Sequence, residues 1–253
     1  MDIKGNTFVV TGGAQGLGKA IGLELAAKGG RVALVDVNEA VLDKAVIECQ
    51  ASGAEVRAYV ANVADEQQVI DLFSSIEIDL GPVSGLVNNA GILRDGLMVK
   101  AKEGAVIDRM SLAQWQAVID VNLTGVFLCG REAATKMIES GTQGVIINIS
   151  SVSRAGNAGQ SNYSAAKAGV AALTVTWAQE LARFGIRAAA IAPGVFETDM
   201  VAAMKPEAHE RLLNAIPMRR TGQLDELADA VTYIFENNYF SGRVLELDGG
   251  LRL

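Results

Sequence analysis

Cysteine, proline, histidine and clustered positive charge are all scarce in this chain of 253 residues. Two cysteines cannot form a disulfide framework, and Cys49 and Cys129 both fall in apolar helical patterns without metal-ligand spacing. They read as reduced core residues of a cytosolic protein. The one histidine, His209, reads as a solvated side chain, and no His/Asp/Glu cluster with metal-ligand spacing suggests a metal site. Lys and Arg number 22 against 29 Asp and Glu, a net charge of −7, and no basic cluster occurs. That excludes the footprint of a nucleic-acid binder and disfavours an anionic membrane surface. No apolar run approaches the roughly 18 residues of a membrane span. The start, Met1-Asp2-Ile3-Lys4, has no apolar signal-peptide core, so a cytoplasmic location is expected.

What the chain does have is apolar bulk and glycine. Half its residues are hydrophobic and 27 are glycine, a profile that excludes disorder, collagen and coiled coil. At this length a single core can bury about 70–75% of the unfolded chain's surface. Strand patterns fall at residues 7–11, 31–36, 55–60, 85–88, 144–150, 187–192 and 244–247, nearly continuous in Val, Ile, Leu and Ala. Runs of that kind belong to strands buried on both faces. Helical patterns fall at 18–28, 39–52, 65–79, 112–140 and 161–182. Alternation of this kind predicts one α/β domain over residues 1–253, a doubly wound parallel sheet of about seven strands with helices on both faces.

Two stretches break the rhythm. Residues 91–111 are of mixed polarity, and residues 194–222 hold two helical fragments at most. Both leave the carboxyl ends of strands, where open α/β sheets bind ligands. The first is expected to wall a substrate site and the second to cover it. The second is bounded by glycine, and Phe196, Met200, Met204 and Met218 give it adaptable apolar surface.

The first strand runs into Thr11-Gly12-Gly13-Ala14-Gln15-Gly16-Leu17-Gly18. Gly12 permits a tight turn, Gly16 lets backbone N–H groups approach a pyrophosphate, and Gly18 allows close helix packing. Asp36 ends the second strand, eighteen residues after Gly18. Its carboxylate can accept from both hydroxyls of an adenosine ribose and would repel a 2′-phosphate. No cation follows in Val37-Asn38-Glu39, so NADH is expected to be preferred over NADPH. Tyr163 and Lys167 stand four apart, on one helix face. A nearby ammonium favours phenolate, so Tyr163 is expected to have a lowered pKa and to act as general acid and base.

Taken in order, Thr11–Gly18, Asn88-Asn89-Ala90-Gly91, Asn122, Ser150, Tyr163-Ser164-Ala165-Ala166-Lys167 and Pro193-Gly194 with Thr198 resemble the short-chain dehydrogenases/reductases over essentially the full length. The resemblance implies a Rossmann-type fold and an NAD-dependent oxidoreductase. It implies catalytic roles for Asn122, Ser150, Tyr163 and Lys167. Ser150 would bond the substrate oxygen, Lys167 the nicotinamide ribose, and Asn122 a proton-relaying water. Ser151 is adjacent but one position off the family spacing. Gly12, Gln15, Gly16, Leu17, Gly18, Asp36, Asn62, Val63, Asn89, Ala90, Gly91, Tyr163, Lys167, Pro193, Gly194, Val195 and Thr198 would hold the cofactor. Asn62 stands where the family usually has Asp, and its carbonyl oxygen can still accept from the adenine amino group. Asn88 reads as ordering the central strands.

Two subgroups are most similar: the 3-oxoacyl-(acyl-carrier-protein) reductases and the type II 3-hydroxyacyl-CoA dehydrogenases. Both imply interconversion of 3-oxoacyl and 3-hydroxyacyl thioesters, the carrier being CoA or acyl carrier protein. The long 91–111 segment leans to the second subgroup and a (3S) product. A dehydrogenase of a steroid, polyol or other secondary alcohol is the alternative. A non-catalytic nucleotide sensor is the rival from outside enzymes, and the complete Ser–Tyr–Lys set speaks against it. The resemblance also implies a homotetramer, paired through helices that carry Phe127, Leu173 and Trp177.

Overall fold

In the computed structural model, which describes every residue apart from the side chain of Met200, seven parallel strands form one sheet. Met200, one of the four expected covering residues, therefore lies outside the described side chains. The strands are β1 (Thr7–Thr11), β2 (Arg31–Asp36), β3 (Val56–Val60), β4 (Val83–Asn88), β7 (Val145–Ile149), β8 (Arg187–Pro193) and β9 (Val244–Leu247), with the hairpin β5 (Val99–Lys102) and β6 (Ala105–Arg109) outside the sheet. The order β3-β2-β1-β4-β7-β8-β9 reverses direction between β1 and β4. That reversal opens a crevice at the strands' carboxyl ends.

Helices α1 (Gly16–Ala27), α2 (Glu39–Gln50) and α9 (Leu224–Glu236) pack on one face of the sheet. Their contacts run through Ile21, Leu25, Leu42, Val231 and Ile234, and Phe8 meets Phe235 edge to face at 4.9 Å. On the other face lie α3 (Glu66–Leu80), α5 (Gly125–Glu139) and α6 (Ser161–Glu180), through Phe73, Ile76, Met137, Val170 and Trp177. Each such fully buried side chain contributes about 1.5–3 kcal/mol. The sheet interior is apolar because both faces are covered.

Three features depart from the sequence reading. The helix expected over 112–140 is broken into α4 (Leu112–Ile119) and α5 by a π turn at Asp120–Thr124. Helix α9 was not expected, although Leu227, Val231 and Ile234 recur at helical spacing. Segment 91–111 is not an irregular loop. It carries β5 and β6, joined by Glu103 (φ +52°) and Gly104 (φ +82°). Two positive φ values match the twist of a tight hairpin. Residues 194–222 hold two helices, α7 (Asp199–Ala202) and α8 (Pro206–Ala215). Among the described residues, no helix is long and apolar enough to cross a membrane.

A buried chain of amides crosses the sheet. Asn88 Nδ2 donates to Asn148 Oδ1 (2.9 Å) and to the Val126 carbonyl (3.3 Å), and Asn148 Nδ2 donates to Thr174 Oγ1 (2.9 Å). It ties β4 and β7 to α6, as expected for an Asn88 that orders the central strands. Trp177 also serves the interior: a Cβ on Gly130 of α5 would run into its ring. Its surface is therefore spent inside the chain rather than offered for subunit pairing, as had been expected.

Candidate active site

The turn from β1 to α1 is built from missing side chains. Gly12 (φ +64°) and Gly16 (φ +52°) hold left-handed backbone, and a Cβ on Gly18 would fall on the Gly12 carbonyl oxygen. Thr11 and Asn89 rivet this turn to the exit of β4. Thr11 Oγ1 accepts from the backbone N–H groups of Asn89 (3.0 Å) and Ala90 (3.1 Å). In return, Asn89 Nδ2 donates to the carbonyls of Thr11 (3.0 Å) and Gly12 (3.1 Å). Asp36 is aimed at the same turn, its carboxylate accepting from Ala14 N–H (3.3 Å) and Asn38 N–H (3.1 Å).

A cleft of about 630 Å³ opens there, lined by Gly12, Gln15, Gly16, Leu17, Asp36, Asn62, Val63, Asn89, Ala90, Gly91 and Thr198. Val35, Val37, Ala61, Ile92, Val121 and Asp199 complete it, and the sequence reading missed all six. They are apolar strand ends or neighbours of named residues, without a motif of their own. The volume lies in the range of small-molecule sites. The cleft fits a dinucleotide in kind: a glycine-rich helix N-terminus for phosphate, and a carboxylate for ribose hydroxyls. Asn62 Oδ1 already accepts from Ala64 N–H (3.0 Å), which leaves it one lone pair for a ligand. Pro193 closes β8, Gly194 packs on the Asp248 backbone, and Val195 lines a separate cavity of about 130 Å³.

The reactive side chains stand beyond β7. Lys167 is fully buried, its ammonium donating to the Ile149 carbonyl at 2.7 Å. Burial lowers its pKa to about 8. Its nitrogen sits 5.6 Å from the centre of the Tyr163 ring. The Tyr163 phenol is pushed up by burial, pulled down by the neighbouring Ser151 hydroxyl, and raised again by the charge of Asp95. The lowering expected from the Lys–Tyr spacing is not found: burial comes first, and it raises the phenol.

The two serines divide differently from their spacing. Ser150 Oγ donates to the Lys167 carbonyl at 2.8 Å, inside the fold, and its N–H still joins β8 through Ile191. Ser151 follows in extended backbone (φ −168°), caps the short turn Val152–Ala155 and turns its hydroxyl to Tyr163. Successive side chains of an extended chain face opposite ways. The structure brings Ser151, not Ser150, to the phenol. Asn122 is buried within the π turn, and both ends of its amide hold Ile92, accepting from its N–H (2.8 Å) and donating to its carbonyl (3.0 Å). Its side chain anchors the start of segment 91–111, a placement the water-relay role did not foresee.

The roots of segment 194–222 are fastened together. Glu197 N–H donates to the Gly222 carbonyl (2.8 Å), Gly222 N–H to the Val195 carbonyl (2.9 Å), and Thr221 Oγ1 to Glu197 Oε2 (2.6 Å). A Cβ on Gly222 would strike the Phe196 ring. The bounding glycines therefore serve close packing rather than hinging, and Phe196 and Ile216 are buried. Met204 and Met218 remain exposed. Among the described residues, no group of His, Cys, Asp and Glu could hold a metal ion.

A family model described as short chain dehydrogenase matches residues 6–209. The chain is 40% identical, over 99% of its length and 99% of the relative's, to a 3-oxoacyl-[acyl-carrier-protein] reductase of Thermotoga maritima. It is 42% identical to one of Synechocystis, over 96% of this chain and 95% of that one. Among solved structures it superposes on levodione reductase with a TM-score of 0.88, at 34% identity over 98% and 97% of the two chains. A putative gluconate dehydrogenase from Agrobacterium tumefaciens gives a TM-score of 0.90, also at 34% identity, over 98% and 96%.

Proposed function

The chain belongs to the short chain dehydrogenase family of oxidoreductases, and on that footing we propose that it interconverts 3-oxoacyl and 3-hydroxyacyl thioesters with NADH as the preferred cofactor. The observation that carries the chemistry is the cluster Ser151, Tyr163 and fully buried Lys167 beside a cleft suited to a dinucleotide. The thioester substrate rests on the relatives' named activity, 3-oxoacyl-[acyl-carrier-protein] reduction.

A nicotinamide dinucleotide, when bound, supplies or accepts the hydride. Gly12, Gln15, Gly16 and Leu17 would hold its phosphates, Asp36 its adenosine ribose, Asn62 and Val63 its adenine. Gly18 keeps the turn tight beneath them. Asn89, Ala90, Gly91, Pro193, Gly194, Val195 and Thr198 would surround its other half. Tyr163 gives its phenolic proton to the ketone oxygen in reduction and takes it from the alcohol in reverse. Ser151 donates to the same oxygen and fixes its place, the role that spacing gave to Ser150. Lys167 would hold the nicotinamide ribose, and its ammonium would limit the energy of the phenolate left after proton transfer. Residues 194–222 form a lid that orders over the substrate and excludes water. Residues 91–111 form the opposite wall.

The carrier is CoA or acyl carrier protein. Of the cations that could dock an acidic carrier, Lys136 pairs with Glu77 (3.0 Å) and Arg220 with Glu226 (2.6 Å), while Arg183 and Arg219 join no ion pair among the described residues. The relatives' names favour the carrier protein. We further propose a homotetramer with one interface through α5 and α6, where Phe127 and Val175 are exposed.

The test is NADH and NADPH oxidation with acetoacetyl-CoA and with acetoacetyl carrier protein. Turnover of either thioester, faster with NADH, is the expected result. Inertness toward both, with oxidation of a secondary alcohol, would move the chain to a second reading. That reading has support in the likeness to levodione reductase and the putative gluconate dehydrogenase.

A further inference from the structure

Tyr163 has a charged neighbour that the reaction does not require. The chain after β4 runs beside the chain that enters α6: Gly96 N–H donates to the Gly159 carbonyl (2.8 Å), and Gly96 pairs with Gln160 as an isolated parallel bridge. Three side-chain amides hold this junction. Gln160 Nε2 donates to Asp95 Oδ2 (3.0 Å), and Asn162 Nδ2 to the Arg94 carbonyl (3.0 Å). Gln114 Nε2 donates to the carbonyls of Arg94 (3.0 Å) and Asp95 (3.2 Å). Asp95 is thereby latched three residues from the catalytic tyrosine, through Gln160. Among the described residues it joins no ion pair.

We propose that Asp95 determines which form of the substrate is accepted: it admits a 3-oxoacyl group whose acid is masked as a thioester and turns away the free 3-oxo acid. The inference rests on the thioester reading above. In a 3-oxo acid the carboxylate lies one methylene from the ketone that Tyr163 must meet. Seating that ketone brings a second negative charge toward the exposed Asp95 carboxylate, a repulsion that solvent and salt screen in part. A thioester carries no charge at that carbon. The reaction is the same for both forms, hydride to C3 and the Tyr163 proton to its oxygen. Discrimination therefore comes from charge alone. The groups that act on the Tyr163 phenol are Ser151 from the end of β7 and Asp95 from the segment after β4, with the Lys167 nitrogen 5.6 Å from the centre of its ring.

Asp95→Asn removes the charge, while its amide oxygen can still accept from Gln160. The experiment measures kcat/KM for acetoacetyl-CoA and for acetoacetate, and the pH profile of acetoacetyl-CoA reduction, in the unmodified protein and in Asp95→Asn. Asp108→Asn, on the hairpin, controls for net charge. The expected result is a gain of about three- to tenfold for acetoacetate in Asp95→Asn, fading with added salt, and less than about a twofold change for the thioester. The limb of the profile set by Tyr163 moves to lower pH, because one charge that raised the phenol is gone. Asp108→Asn changes neither. An unchanged substrate ratio with an unmoved limb, while the thioester is turned over, overturns this inference alone. An unmodified protein that reduces acetoacetate and ignores both thioesters overturns the thioester reading and this inference together.

Discussion

The nucleotide end of the site and its chemical end, the reactive cluster beyond β7, are built by opposite means. The nucleotide end works by omission: Gly12, Gly16 and Gly18 leave space, and Thr11 and Asn89 satisfy one another's backbone groups. Nothing there is held in an unfavourable state. The chemical end works by confinement: burial holds Lys167 down to about 8 and pushes the Tyr163 phenol up. A group held away from its preferred ionisation costs stability. So substitutions at the nucleotide end should weaken binding, whereas those at the chemical end should stop turnover and in one case strengthen the fold.

The hardest test of that division is Tyr163→Phe. Reduction should fall by about 10²–10⁴-fold, with NADH affinity by fluorescence titration nearly intact. Retention of more than about a tenth of the rate would put the proton elsewhere. Next come the two serines. Ser151→Ala should lower kcat by about 10²-fold, as loss of one donor to a developing oxyanion does. Ser150→Ala should keep turnover and lose about 1 kcal/mol of stability in chemical denaturation. The reverse outcome would restore the spacing-based assignment.

Lys167→Met should abolish activity and stabilise the protein. Its folded pKa lies below the unfolded value of about 10.5, so below pH 8 both states are protonated and burial costs about 3 kcal/mol. Losing the bond to Ile149 takes back about 1 kcal/mol, leaving a gain of about 2 kcal/mol at pH 7. In the unmodified protein this cost fades as pH rises from about 8 to 10.5, so the variant's advantage should shrink across that window. A constant advantage would mean that burial does not shift the lysine's pKa. The smallest effect belongs to the nucleotide end. Asp36→Ala should narrow the kcat/KM preference for NADH over NADPH by about tenfold, or about 1.4 kcal/mol. Equal use of both cofactors by the unmodified protein would contradict the role given to Asp36.

The same division explains what could be read in advance. Strands β1, β2 and β9 fall where their apolar runs lie, and the glycine turn with Asp36 follows from local backbone geometry. The chemical end depends on direction rather than position. Counting thirteen residues back from Tyr163 reaches Ser150, yet the pleat turns that hydroxyl inward and Ser151 outward. The Tyr163 pKa reflects burial that no spacing encodes. The hairpin was hidden because its turn is Glu103-Gly104 rather than Asn-Gly. Helix α9 was legible and missed: Asp225 and Glu226 open its first turn ahead of a regular apolar stripe.

The fastened roots of residues 194–222 have one more consequence, for exchange of parts. The bonds between Val195–Glu197 and Thr221–Gly222 do not involve the helices between them. The intervening stretch is thus a cassette on a fixed mount. Closing a longer or shorter insert on the same mount changes the free energy by only about 0.6 kcal/mol per doubling of length. Segments from other proteins, cut after Asp199 and before Ile216, should be accepted without disturbing β8, α9 or the cofactor cleft. The range of acyl groups taken can then be changed without touching the residues that do the chemistry.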